Sequence, residues 1–203
     1  MVEDVLNKLQ PDGLTVLDIG CGTGVLGVPI AQRASKYTGV DLSPEAVAVL
    51  SELLPSSDIR CLDITRDDLD DLGMFDRVLA YAVLHYVASE AEGERFVRRA
   101  LGRLSPGGRA VFGNIPLPSP DLPHSVFEKG AGLVWGARGR IQRRPKRAVA
   151  GGMPAGYCLP LSRALIDGWL QGIPTIRWRW VAPRMGVPMQ RRRADLLVEK
   201  GLE

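Results

Sequence analysis

Three glycines spaced two apart, Gly20, Gly22 and Gly24, close the stretch VLDIGCGTG, just after an apolar run that carries Asp18. Glycines between a strand and a helix let a ligand lie against bare backbone at the helix N-terminus. A dinucleotide fingerprint needs another glycine three residues after the second, and Val25 stands there instead. That spacing fails, so the triplet suits a different cofactor. Two more acids end apolar runs: Asp41 in GVDLSPEAV and Asp63 in CLDI. A carboxylate offers two acceptor oxygens, enough for two neighbouring hydroxyls. Each acid also has a plainer role, Asp41 as a helix cap and Asp63 as the opening of a turn. Cys21 has no cationic neighbour in sequence to lower its pKa, so it reads as a small residue in a tight place, not a nucleophile. His85, in YAVLHYV, is the candidate general base, with a structural core histidine as the competing reading; His124 is the other histidine of the chain.

These residues need a frame to hold them. Residues 2–9 suggest a short helix, and LTVLDI (14–19), KYTGVDLS (36–43), DIRCLD (58–63), FDRVLAY (75–81) and GRAVFGN (108–114) suggest strands of a buried parallel sheet. Between them, 23–34 has helical spacing, with Pro29 placed to interrupt or kink it. Ser43 and Pro44 start a helix running to about Leu54. An amphipathic helix over 90–104 is stopped by Ser105-Pro106-Gly107-Gly108. A helix over 161–173, with Ser162 in its first turn, and strands over 175–183 and 192–200 follow. This alternation predicts an α/β fold, a doubly wound and mostly parallel sheet, in a single domain over 1–203. Residues 115–158, rich in Pro, Gly and Arg, break the pattern as an irregular basic insert.

With these motifs in this order, residues 14–114, and more loosely 161–200, resemble the class I S-adenosylmethionine-dependent methyltransferases. VLDIGCGTG resembles that family's first motif, FDRVLAYAVLHYV its fourth, and LSPGGRAVFGN its turn into the fifth strand. The resemblance implies a Rossmann-like sheet of seven strands with an antiparallel last strand. It implies S-adenosylmethionine as cofactor, with Asp41 on the ribose hydroxyls, Asp63 on the adenine amino group and Asp18 orienting the glycine loop. Gly20, Cys21, Gly22, Gly24, Leu42, Ile64 and Tyr81 complete the implied cofactor contacts.

Methyl transfer to a hydroxyl needs the acceptor placed in line and a base to take its proton. Residues 1–114 hold 17 acids against 11 Lys and Arg, whereas 115–203 hold 6 against 15. That polarity points to two tasks on one domain. Arg143, Arg144, Arg177 and Arg179 are the candidate contacts to an anionic acceptor, because arginine grips carboxylate and phosphate with two parallel hydrogen bonds. A solvated basic loop and RNA binding are the competing readings. The fourth motif reads AYAV, not the Asn/Asp-Pro-Pro-aromatic run of enzymes that methylate nucleic-acid amino groups. Methylation of an anionic or carrier-bound small molecule on O or N therefore ranks first, an RNA methyltransferase second, and a non-catalytic cofactor-binding domain third.

Cys21, Cys61 and Cys158 are widely spaced and form no CxxC pair, which argues for a reducing compartment and against a zinc or other metal site. MVEDVLNKLQ is no signal peptide, and no stretch approaches the roughly 18 apolar residues of a membrane span. A cytoplasmic location is the expectation. Only 13 residues precede LTVLDI, fewer than small-molecule members of the family carry there. The lid is expected to come from the 115–158 insert, which lies where family members often cover the acceptor, or from a second copy of the chain in a homo-oligomer. A macromolecular acceptor is the third source, and it counts against a small molecule.

Overall fold

The computed structural model of the chain describes residues 1–117, 133–135, 141–143, 159, 161–184 and 193–202. Five parallel strands form its centre: β1 (Thr15–Ile19), β2 (Lys36–Asp41), β3 (Asp58–Cys61), β4 (Phe75–Tyr81) and β5 (Leu104–Pro116). β6 (Leu133–Trp135) and β7 (Ile141–Arg143), within the predicted insert, pair with each other as a separate two-stranded sheet. β8 (Ile176–Val181) and β9 (Arg193–Lys200) complete a seven-stranded sheet in the order β3-β2-β1-β4-β5-β9-β8. The predicted mixed sheet is thus present, with β9 antiparallel to both β5 and β8. An antiparallel strand brings its first residues to the end where its parallel neighbours finish. Arg193 and Ala194 accordingly pair with Pro116 and Ile115.

Among the described residues, helices α1 (Val2–Leu9), α2 (Gly27–Ala31), α3 (Pro44–Leu53), α4 (Glu90–Gly102) and α5 (Arg163–Leu170) cover the sheet. Successive strand residues feed opposite faces, as the two-residue period of a strand requires. Val16, Leu79, Val111 and Leu197 pack with Leu6 and Leu9 of α1, Ile30 of α2 and Leu50 of α3. Leu17, Val78, Phe112 and Leu196 pack with Phe96 and Val97 of α4 and with Ile166 and Trp169 of α5. Removing that apolar surface from water, at about 25 cal/mol per Å2, is the main force holding the layers together.

Three boundaries differ from the sequence reading, each for a local reason. The helix expected over 23–34 is confined to Gly27–Ala31, because Gly22 and Gly24 take positive φ (53° and 92°) and keep residues 21–26 in turns. Pro29 causes no break: it is the third residue of α2, where a backbone N–H has no helical partner to lose. The fifth strand starts at Leu104 instead of ending a helix there. Its pairing skips from Leu104 to Arg109, which bulges the Ser105–Gly108 stretch out of the ladder. Ser162 is the cap of α5 and not part of its first turn, its Oγ accepting from Leu165 N at 3.1 Å. The expected cap at Ser43 is in place, with Oγ accepting from Ala46 N at 3.2 Å. Among the described residues no helix is long and apolar enough to cross a membrane.

Candidate active site

The glycine loop lies between the end of β1 and α2 and folds over the tip of β2. Val40 O accepts from Gly20 N at 2.7 Å and from Cys21 N at 3.1 Å. All three glycines have positive φ, but their surroundings differ. A methyl group on Gly20 would overlap Val83, and one on Gly24 would overlap Leu50. One on Gly22 would meet no atom within 4 Å, so this stretch of loop presents open backbone. Asp41 fixes the loop from below: its Oδ2 accepts from Gly22 N at 2.8 Å and its Oδ1 from Ser43 N at 2.9 Å. A carboxylate has about four lone-pair sites, so each oxygen keeps capacity for a ligand hydroxyl.

Asp18 sits beneath the loop with 2 % of its surface exposed, its Oδ2 accepting from the Tyr37 hydroxyl at 2.8 Å. Burial is the leading influence and pushes its pKa up to about 7. The Cys21 thiol is pushed up to about 12, by burial first and then by Asp18 and Asp41, which removes it as a nucleophile.

Along the carboxyl edge of β2 and β3, Leu42 is largely exposed and Ile64 is buried. Asp63 Oδ1 accepts from Thr65 N at 2.8 Å and from Thr65 Oγ1 at 2.6 Å, so it does open a turn. Its Oδ2 lies 3.6 Å from Arg66. Tyr81, the last residue of β4, pairs with Gly113 of β5, and its ring occupies the space that a side chain on Gly113 would need.

The chain leaves β4 through Ala82, at φ 60°, into a short 3-10 turn (Leu84–Tyr86) that holds His85 with 5 % of its surface exposed. Burial first, and then the charge of Arg193, pushes the His85 imidazole down to about 4. It is therefore neutral at physiological pH, and its Nδ1 finds no partner among the described residues. β5 ends in the same way: Asn114 takes φ 58° at an irregularity in the β5–β9 pairing. Its backbone is clamped from β9, N–H to Asp195 Oδ1 at 2.7 Å and C=O to Arg193 Nη1 at 3.0 Å. Asp195 is fully buried and paired with Lys8 of α1 at 2.6 Å.

The expected substrate contacts divide differently. Arg177 stands opposite Glu199, whose other neighbour is Arg109, towards the end where the parallel strands begin. Arg179 is exposed at mid-strand, opposite Leu197. Neither reaches the carboxyl ends where Tyr81, His85 and Asn114 gather, because the strand direction carries β8 past that end only at Val181. The side chain of Arg143, together with Arg144, His124 and Cys158, lies outside the described residues. Asn114 and Asp195 were not singled out in the sequence, and Arg193 was noted only as one of the basic residues of the C-terminal strands. The usable signal was the antiparallel last strand, whose opening residues had to arrive at this end of the sheet.

The geometry accommodates the cofactor implied by the resemblance: bare backbone at Gly22, free acceptor capacity on Asp41 and the exposed Leu42 lie at neighbouring strand ends. A family model for a methyltransferase domain matches residues 17–110. Ribosomal RNA small subunit methyltransferase C of Chromohalobacter salexigens is 31% identical over 141 residues, 68% of this chain and 42% of that protein. A ubiquinone biosynthesis O-methyltransferase of Azorhizobium caulinodans is 37% identical over 137 residues, 65% of this chain and 53% of that protein. The chain spans about half the length of the curated relatives it matches. Among solved structures, SAM-bound CalS10, an amino pentose methyltransferase from Micromonospora echinaspora, superposes with a TM-score of 0.70 at 21% identity, over 98% of this chain and 89% of that one. The N-methyltransferase NodS of Bradyrhizobium japonicum, in complex with S-adenosyl-L-homocysteine, gives 0.67 at 14% identity, over 99% and 85%. These two likenesses establish the fold.

Proposed function

We propose, from the premise that this chain belongs to the class I S-adenosylmethionine-dependent methyltransferases, that it methylates an oxygen or nitrogen of a small, anionic acceptor. The observation that carries the reading is the open backbone at Gly22 held by Asp41, a carboxylate with acceptor capacity to spare. When bound, S-adenosylmethionine supplies an electrophilic methyl group.

Each residue then has a task. Gly20, Gly22 and Gly24 let the backbone approach the cofactor, and Cys21 fills the narrow space between them. Asp41 takes the ribose hydroxyls, Asp63 and the flanking Leu42 and Ile64 take the adenine, and Asp18 faces the amino end through the loop. Tyr81 bounds the methionine portion. His85, neutral and with an Nδ1 that has no partner among the described residues, receives the proton or hydrogen bond of the acceptor. The insert over 115–158 covers the acceptor within one domain, and Arg143 and Arg144 in it face the acceptor's charge. A homo-oligomer and a cytoplasmic setting accompany this reading.

RNA is the second reading, favoured by the relative named for ribosomal RNA and by the basic run from Arg138 to Arg147. Incubation with methyl-labelled cofactor, a small-molecule extract and total RNA separates the two. Label should enter the low-molecular-weight fraction and not the RNA. Label in RNA that disappears in an Arg143→Ala/Arg144→Ala variant would reverse the ranking. A chain that binds cofactor yet labels neither fraction would support the non-catalytic reading.

A further inference from the structure

We propose that Arg193 is the oxyanion-recognising residue of the acceptor site, with His85 Nδ1 and Asn114 Oδ1 beside it as the positions that meet the acceptor's hydroxyl or amine. The assignment rests on the methyl-transfer reading above and replaces Arg177 and Arg179 as the source of charge. It defines the acceptor class as a small molecule bearing a carboxylate or phosphate together with a hydrogen-bond donor.

Arg193 is partly buried, yet among the described residues its side chain makes one hydrogen bond, the Nη1 contact to Asn114 O. A guanidinium has five N–H donors in a flat fork suited to an oxyanion. Other arginines of this molecule have carboxylate partners: Arg60 with Asp58, Arg98 with Glu94 and Arg109 with Glu199. Arg193 has no carboxylate within ion-pair distance among the described residues. Its nearest acid in sequence, Asp195, is already taken by Lys8 and by the Asn114 N–H. A positive charge is thus carried into the carboxyl end of the sheet with no counter-ion among the described residues.

Two further vacancies surround it. His85 Nδ1 and Asn114 Oδ1 are buried atoms without a hydrogen-bond partner among the described residues. Orphans of this kind are rare in native interiors because each costs its lost hydration. Asn114 is also held in the left-handed region by two charged partners, a strained arrangement of the sort that re-aims a side chain at a functional site. A ligand with an oxyanion and a donor would satisfy all three groups together. Val83, two residues before His85, touches the position a side chain on Gly20 would occupy, so this cluster adjoins the cofactor loop.

Calorimetric titration of the protein saturated with S-adenosylhomocysteine tests the assignment, using probe pairs that differ in charge. Suitable pairs are 4-hydroxybenzoate with 4-hydroxybenzamide, 3-hydroxybutyrate with 3-hydroxybutyramide, and glycerol 3-phosphate with glycerol. At least one anion should bind tenfold or more tightly than its neutral partner. Arg193→Gln should weaken the anion tenfold or more relative to its neutral partner and so erase that preference, and Arg193→Lys should retain part of it. Asn114→Gly, which keeps the left-handed backbone, should weaken 4-hydroxybenzoate more than benzoate. Equal binding within every pair, or a preference that survives Arg193→Gln, overturns the assignment while leaving methyl transfer intact. Failure of S-adenosylhomocysteine to bind overturns the parent reading and this assignment with it.

Discussion

The Tyr37 hydroxyl donates to Asp18 Oδ2 at 2.8 Å, a buried contact that joins β2 to β1 beneath the glycine loop. The phenol does not fully offset the burial of the carboxyl, which is held at about 7 against an ordinary 3.8. The unfolded chain therefore ionises first, and between about pH 4 and pH 7 the folded protein binds one proton more. Stability from this group is present in acid and declines as pH rises through that window, on the order of 4 kcal/mol in all. Asp18→Asn should remove the decline. Thermal unfolding of the cofactor-free protein should show variant and wild type close together at pH 4 and the variant more stable at pH 8. A difference that stays flat with pH would show that the folded protein does not hold Asp18 protonated.

Gly22 and Gly13 offer a matched pair, since both have positive φ and open space where a side chain would go. Alanine at either position costs about 1–2 kcal/mol of backbone strain. Gly22→Ala should in addition weaken S-adenosylhomocysteine by tenfold or more in calorimetry, and Gly13→Ala should leave it unchanged. Equal affinities in the two variants would place the cofactor elsewhere.

Asp41 supports the loop and, in the proposed role, the ribose. Asp41→Ala releases Gly22 N and Ser43 N and should weaken cofactor binding by about a hundredfold. Asp63→Ala should cost less, because Asp63 Oδ1 is engaged with Thr65. An Asp41→Ala protein that binds normally would refute the ribose role.

His85 should act as a base only in its neutral form, which persists down to about pH 4. With an acceptor in hand, His85→Gln should lower kcat by roughly a hundredfold at unchanged cofactor affinity. The acidic limb of the wild-type rate profile should fall near pH 4, not near 6.5. Wild-type turnover in the variant would return His85 to a structural role.

The central sheet, the glycine loop and the acids at the strand ends were legible because their signals are local. An apolar run of a few residues, a glycine triplet and a terminal acid each occupy one short window, and Asp41 emerges where that pattern put it. Asp63 shows how a local signal keeps two meanings, since the acid opens a turn and still has a second oxygen. The end proposed for the acceptor was harder to read. It is assembled by strand direction, with Asn114, Arg193 and Asp195 drawn from distant parts of the chain, and basic composition alone pointed to Arg177 on the wrong end of its strand. The short α2 escaped for a related reason: helical periodicity does not register the backbone cost that Gly22 and Gly24 impose through positive φ.

The insertion of β9 between β5 and β8 also orders events in time. During synthesis β5 is made long before its neighbour, and until β9 arrives its edge stays unpaired, a template for pairing with other chains. Asn114 has no Asp195 to clamp it during that interval, and Lys8 of α1 waits for the same residue. The cofactor edge can form from consecutive segments, whereas the acceptor end closes only through contacts of very long sequence separation, the slow kind. A nascent chain should therefore gain the capacity to hold its nucleoside before it gains a place for anything to be methylated.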